Sequence, residues 1–209
     1  MNVTIVGTGN MARGLGQRLI AGGHDVTVLG KELDAAEAVV GDIGADGRGH
    51  AGRSGDAITG EVVVLAVYYP DAQAAVEQYR DALSGKVLID ITNPVNETLD
   101  GLVTPPDSSA AEQLARSAPG ARVVKAFNTT FAGTLMAGRV ADQPLDVFIA
   151  SDDDDAKATV ATLARDGGLN PIDAGPLKRA RELEAMGLLH MTLQSSLGTG
   201  FSSAIKVIA

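Results

Sequence analysis

The chain has 209 residues, with 17 Lys+Arg against 26 Asp+Glu, a formal net charge of −9, no Cys or Trp, and only three Tyr and four Phe. Without cysteine there is no disulfide framework and no thiolate metal site, and the acidic balance speaks against a broad groove for nucleic-acid phosphates. The 45% hydrophobic content excludes wholesale disorder. No run reaches the roughly 18 apolar residues of a membrane span, and Met1–Gly7 lacks the basic start of a secretory leader. The expectation is a soluble, cytoplasmic protein without membrane or nucleic-acid partners, built as one domain with at most a small extension.

In chain order, Asn2–Val6 reads as a strand. Asn10–Ala21 reads as a helix, with Met11, Leu15 and Leu19 on one stripe and Gly22-Gly23 as its stop. Asp25–Leu29 is a strand, Glu32–Val40 a helix, and His50–Arg53 a short third strand. Glu61–Tyr68 is nearly continuous in apolar residues, the pattern of a strand buried on both faces. Pro70–Leu83 is a helix with proline at its start. Lys86–Ile91 is the fifth strand, and 93–107 an excursion with several prolines. Ser109–Ser117 is a helix, Ala121–Ala126 the sixth strand, Leu145–Ala150 the seventh, and Asp152–Arg165 a helix capped by Ser151 or Asp152. Leu177–Met191 and Gln194–Val207 form a helical tail. Strands alternating with helices specify an α/β fold with a doubly wound, mostly parallel sheet. Such sheets bind ligands beyond the carboxyl ends of their strands, where strand order reverses. Residues just after strands one, four, five and six are therefore the candidates, and four of the seven aromatics lie there: Tyr68, Tyr69, Phe127 and Phe131.

The first strand runs into Gly7-Thr8-Gly9-Asn10-Met11-Ala12, a GxGxxA loop. Gly7 permits the tight turn, Gly9 lets a pyrophosphate approach the backbone, and Ala12 lets the helix pack on the strand. The free N–H groups and dipole of the helix start would hold the pyrophosphate. Strand two ends Leu29-Gly30-Lys31-Glu32, so the usual ribose-binding acid is replaced by Gly30 with a cation beside it, which suits the 2′-phosphate of NADP. Glu32 and Asp34 flank it, and either could instead reach a ribose hydroxyl. After strand four, Ala66, Val67 and Tyr68 would flank the cofactor. Asn93 after strand five, and Asn128 with Thr129 after strand six, offer neutral donors and acceptors suited to a carboxamide or a flavin-like edge. No nucleophilic triad or metal-ligand spacing occurs, and no catalytic residue is assigned. Asp152–Asp155 reads as a helix cap with its acidic first turn.

Gly7–Met11, Ile89-Asp90-Ile91-Thr92-Asn93-Pro94, Lys125-Ala126-Phe127-Asn128-Thr129, and Gly175-Pro176-Leu177 with Ala180–Glu184 resemble the NADPH-dependent reductases of the deazaflavin coenzyme F-420. The same pattern is similar to the cytosolic reductase domain of membrane ferric reductases. The resemblance implies a Rossmann-type domain over 1–175, a C-terminal helical segment over 176–209 for acceptor binding or dimerisation, and a homodimer. It implies hydride transfer between NADP(H) and a deazaflavin or flavin-like small-molecule acceptor, with another acceptor (ferric–flavin, quinone or imine) or a non-catalytic sensor as alternatives. Thr8, Asn10 and Met11 would line the pyrophosphate. Asn93, Pro94, Asn128 and Thr129 would surround the nicotinamide and acceptor. Gly30 and Lys31 stand where the family has Ser and Arg. Transfer between two preformed rings needs proximity more than acid–base groups. His190 is expected to be packed or on a helix surface. The basic residues Lys178, Arg179 and Arg181, or Lys125 and Lys206, are candidates for an anionic acceptor tail, and Phe201 for reaching the acceptor.

Overall fold

The computed structural model describes residues 1–44 and 46–208. In chain order, β1 (Asn2–Val6), α1 (Asn10–Ala21), β2 (Asp25–Gly30), α2 (Leu33–Asp42), β3 (Gly49–Arg53), β4 (Val62–Leu65), α3 (Tyr69–Tyr79), β5 (Val87–Asp90), α4 (Ala110–Ser117) and β6 (Arg122–Lys125) follow one another. Then come α5 (Ala132–Ala137), β7 (Arg139–Val140), β8 (Gln143–Pro144), β9 (Asp146–Ala150), α6 (Asp154–Asp166) and β10 (Asn170–Gly175). A 3-10 turn at Leu177–Arg179 leads into α7 (Ala180–Leu197). The main sheet has the order β10-β9-β6-β5-β4-β1-β2-β3. Order reverses at β1, which pairs in parallel with both β2 and β4.

β4 and β5 are buried along their whole length. Alternate residues of the strands feed the two faces. Ile5, Val64 and Ile89 pack with Leu15 of α1 and Leu163 of α6, while Val63, Leu65 and Leu88 pack with Val76 of α3 and Leu114 of α4. The apolar run expected at Glu61–Tyr68 is thus a central strand, shorter than the run because the chain leaves the ladder after Leu65.

Glycines set two close approaches. A Cβ on Gly14 of α1 would lie 2.9 Å from the Ala132 carbonyl and 3.0 Å from Leu135 Cβ of α5. A Cβ on Gly187 of α7 would lie 2.5 Å from Asn93 Oδ1.

Five features depart from the sequence reading. α5 has six residues, too few for a helical stripe to register. β9 meets β6 antiparallel, with β10 parallel to β9, because α5 and the β7–β8 hairpin turn the chain back instead of crossing over. β10 is an edge strand, which is where Pro171 is tolerated. Of the helix expected at Gln194–Val207, only Gln194–Leu197 is helical, as the end of α7. α7 stops at Leu197 with Gly198 left-handed at φ +63, and after a turn near Thr199 the tail carries no helix or strand through residue 208. At α6 the cap is Asp153, not Ser151 or Asp152. Its carboxylate accepts the Ala156 N–H at 2.8 Å and pairs with Arg122 at 2.7 and 2.8 Å. That guanidinium holds the Asp153 carboxyl far below the ordinary carboxylate range.

Candidate active site

A cavity of about 930 Å³ lies over the carboxyl ends of the strands at the switch point. Gly7, Thr8, Gly9, Asn10, Met11, Lys31, Ala66, Val67, Tyr68, Asn93 and Asn128 line it. Gly30, Pro94 and Thr129 do not. Gly30 lies underneath, where a Cβ would meet Thr8 Cγ2 at 2.7 Å. Pro94 is buried, with its carbonyl accepting the Val103 N–H at 2.7 Å. Thr129 is buried, and its carbonyl lies 3.1 Å from His190 Nδ1.

At one end the glycine loop is built by steric necessity. Gly7 has φ +123, and a Cβ there would sit 2.3 Å from the Ala66 carbonyl oxygen. Its N–H donates to the Leu29 carbonyl at 2.9 Å. Gly9 caps α1 without a side chain and faces open space. The first turn of α1 holds no acid, so its free N–H groups and dipole favour an anion. Arg13 braces the loop by donating to the Thr8 carbonyl at 2.7 Å. Lys31, 82% exposed, reaches Asp71 at 3.0 Å across the mouth, and Glu32 stands 3.9 Å from Arg53. Such exposed pairs are weak and yield readily to a bound anion. Leu29, Ala35, Ala74 and Ala75 make a shallow apolar floor beside Ser54 and Gln78.

The other end is neutral. Asn93 Nδ2 donates to the Asn128 carbonyl at 2.8 Å, and Asn128 Nδ2 donates to Asn93 Oδ1 at 2.9 Å and to the Leu183 carbonyl at 2.8 Å. Ile91, Thr92, Val95, Thr130 and Met191 continue the wall. Phe131 stacks on His190 with centroids 4.3 Å apart and meets Phe201 edge-on at 5.1 Å. Phe201, expected near the acceptor, lines the cavity with Phe131. His190 is packed: Nδ1–H donates to the Thr129 carbonyl at 3.1 Å, and Nε2 lies 2.9 Å from Ser203 Oγ. Burial pushes its pKa down, which keeps the ring neutral.

Of the four strand-end aromatics, Tyr68 and Phe131 line the cavity. Tyr69 turns into the core, its hydroxyl donating to Gln113 Oε1 at 2.8 Å. Phe127 is buried in a left-handed conformation, φ +62, with its carbonyl capped by Thr130. Sequence reasoning missed Thr92, Thr130, Met191 and Ser54 as lining residues. Thr92 was findable, since it sits in the same post-strand segment as Asn93. Met191 and Ser54 arrive through tertiary packing, and no local signal marks them.

Beneath the neutral end lies a closed ionic cluster. Lys125, fully buried, donates to Asp90 Oδ2 at 2.8 Å, Glu184 Oε1 at 2.8 Å and the Thr92 carbonyl at 2.5 Å. Glu184 also accepts the Ala110 N–H at 3.0 Å, at the start of α4. Burial raises the Glu184 pKa against the opposing pull of Lys125. Lys125 is therefore not open to an anionic tail. Lys206 pairs with Asp146, Arg179 with Glu182 at 2.8 Å, and Arg181 with Glu112 at 2.6 Å. None of these, nor Lys178, lines the cavity. Among the described residues no group of three His, Asp or Glu could hold a metal ion, and no helix is long and apolar enough to cross a membrane.

A doubly wound sheet with a glycine loop at its switch point, opening into the cavity, defines a Rossmann-type dinucleotide-binding oxidoreductase fold. A family model described as NADP oxidoreductase coenzyme F420-dependent matches residues 2–94. The F420-dependent NADP reductase of Methanothermobacter marburgensis is 33% identical over 212 residues, covering 92% of each chain. Metalloreductase STEAP3 of Rattus norvegicus is 33% identical over 187 residues, which are 89% of this chain and 36% of that one. This chain thus spans about a third of the length of such metalloreductase relatives. A crystal structure from Arthrobacter sp. FB24, described as a candidate F420-dependent NADP reductase, superposes with a TM-score of 0.87 at 30% identity over 99% of both chains. The chain belongs to the coenzyme F420-dependent NADP oxidoreductase family.

Proposed function

We propose that the protein transfers hydride between NADP(H) and a deazaflavin of the coenzyme F420 type, or a closely flavin-like ring. The observation that carries this is one cavity with two chemically different ends: a glycine loop at a helix start at one, and an uncharged, aromatic-walled end at the other. The residues present fit the dinucleotide, because Gly7 leaves no space for a side chain while Gly9 opens onto the helix start. In this reading Gly7, Thr8, Gly9, Asn10 and Met11 hold the pyrophosphate. Lys31 takes the 2′-phosphate, with Gly30 keeping that turn narrow. Ala66, Val67 and Tyr68 flank the ribose side. Asn93 and Asn128 frame the nicotinamide, backed by Pro94 and Thr129.

The nicotinamide supplies or accepts the hydride when bound. The chain's own task is to align two flat rings and to exclude water. Phe131, Phe201 and Met191 give an apolar face for the second ring, and no acid or base stands among them. His190 stays neutral and bonded to Thr129 and Ser203, so it holds the wall in place. The proposal includes residues 1–175 as the dinucleotide domain, 176–209 as its acceptor-side segment, and a homodimer.

A second reading, reduction of a flavin–ferric acceptor, draws on the metalloreductase relatives. Steady-state oxidation of NADPH against a panel of deazaflavin, flavin, ferric chelate and quinone separates the two. The expected result is bleaching of the deazaflavin's visible absorbance at the highest kcat/KM of the panel. Turnover confined to flavin and ferric chelate supports the second reading, and binding without any turnover identifies a sensor. Lys31→Ala should raise the KM for NADPH on the order of tenfold, about 1.4 kcal/mol, and leave that for NADH unchanged.

A further inference from the structure

After α7 the chain reverses sharply. Gly198, Gly200 and Phe201 all have left-handed backbone, at φ +63, +56 and +64. Glycine takes this conformation freely, whereas a bulky residue is a true outlier there. It persists only where the surroundings hold it. Phe201 lines the cavity and meets Phe131 edge-on at 5.1 Å, yet it is 51% exposed. One edge contact does not fix so open a ring, and the residues after it supply the grip.

Two clasps hold them. At the first, Ser203 Oγ lies 2.9 Å from His190 Nε2 and accepts from Gln194 Nε2 at 2.8 Å, both on α7. Thr199 Oγ1, on the near side of Phe201, donates to the other end of the same amide, Gln194 Oε1, at 2.5 Å. At the second, the tail reaches the start of β9. The Lys206 ammonium pairs with Asp146 and donates to the Pro144 carbonyl at 3.1 Å, while the Val207 N–H donates to Asp146 Oδ2 at 2.8 Å. Asp146 is buried, with Asn170 Nδ2 donating to it at 2.8 Å. Among the described residues Lys206 is its one cation. A buried carboxylate without its counter-ion is costly, so Asp146 draws the tail down. Between the clasps Ala204 packs on the main core.

We propose that Lys206 and Asp146 form a latch that positions Phe201 as a wall of the acceptor seat, with Ser203 as the second catch. None of the three lines the cavity; they act through Phe201, which does. The inference rests on the acceptor reading above and adds the residues that set that wall. It separates the two ends of the cavity: releasing the latch should loosen the acceptor and leave the dinucleotide held by the glycine loop, which belongs to β1 and α1.

Two measurements test it. The chain has no Trp, so Phe201→Trp places a single reporter on the wall. Acrylamide quenching of that reporter should rise severalfold when Lys206→Met is added and stay unchanged with Lys206→Arg, which keeps the charge. In steady-state assays of NADPH with a deazaflavin or FMN, Lys206→Met should raise the KM of the acceptor about tenfold with kcat unchanged, the mark of lost binding rather than lost chemistry. NADP⁺ affinity by calorimetry should not move, and Lys206→Arg should restore the KM. Ser203→Ala should shift acceptor KM and quenching the same way, and it decides the matter if Lys206→Met does not fold. Unchanged quenching, an unchanged acceptor KM, or equal losses for acceptor and NADP⁺ overturn the latch. A wild type that reduces neither acceptor overturns the acceptor reading, and the latch with it.

Discussion

Gly7 and Gly9 are two positions apart and are constrained for different reasons. Gly7 is held at φ +123 against the Ala66 carbonyl, so any Cβ there strains the backbone and strikes the neighbouring strand end. Gly7→Ala should destabilise the fold by at least about 1–3 kcal/mol from backbone strain alone, read as a lowered Tm. Gly9 has φ −78 and open space around it. Gly9→Val should therefore leave the Tm within the range of a neutral surface change and abolish NADP⁺ binding; retained binding would show that the loop does not hold the pyrophosphate. The sequence made both glycines legible through the motif, but not which one the fold itself needs. That distinction depends on Ala66, which is distant in sequence and adjacent only once β1 and β4 pair. Thr92 lay within reach of the motif beside Asn93, but that its hydroxyl finds no partner among the described residues is visible only in the folded chain.

Among the elements, the ends of β5 and β6 are tied to α4 and α7 through Lys125. Removing this cation would leave Asp90 and Glu184 as buried carboxylates without their counter-ion. Lys125→Met should cost about 3–5 kcal/mol, the usual effect of breaking a buried ion pair from one side. Adding Glu184→Gln should recover part of that loss, as measured by urea denaturation; an additive loss would mean that the two groups do not share one cluster. Hydrophobic runs and glycine stops made β1, β2, β4, β5 and β6 and the long helices legible. The short pieces were not. α5 is too brief to show a period, β10 carries Pro171 and half-buried residues, and the last helix was read through an apolar stretch that Gly198 and Gly200 in fact break. Where local signal is short or contradictory, packing decides.

On the scale of the whole molecule, Leu189, Leu193 and Leu197 form an outward stripe on α7, exposed by 59%, 41% and 57%. Their spacing places them on one face, the kind of apolar stripe that an association surface would cover. The proposed homodimer would bury it. Sedimentation of the wild type should give a dimer and Leu193→Lys a monomer; a monomeric wild type would remove the proposal. The net charge of −9 looked like information about partners. The structure shows it to be distributed over ion pairs and surface, while the cavity end lined by Asn93, Asn128 and Phe131 carries no charge.

The contact at Gly14 has a mechanical meaning. α1 begins at the loop assigned to the dinucleotide, and α5 begins just after Phe131, on the wall assigned to the acceptor. There is no room for even a methyl group between the two helices at this point, so their separation is fixed by direct contact. In the proposed reading, the gap between donor and acceptor rings would be a dimension of this helix pair, set like the jaw of a fixed gauge. A methyl inserted at position 14 would act as a shim, widening the gap and slowing the transfer while leaving each ring its own seat.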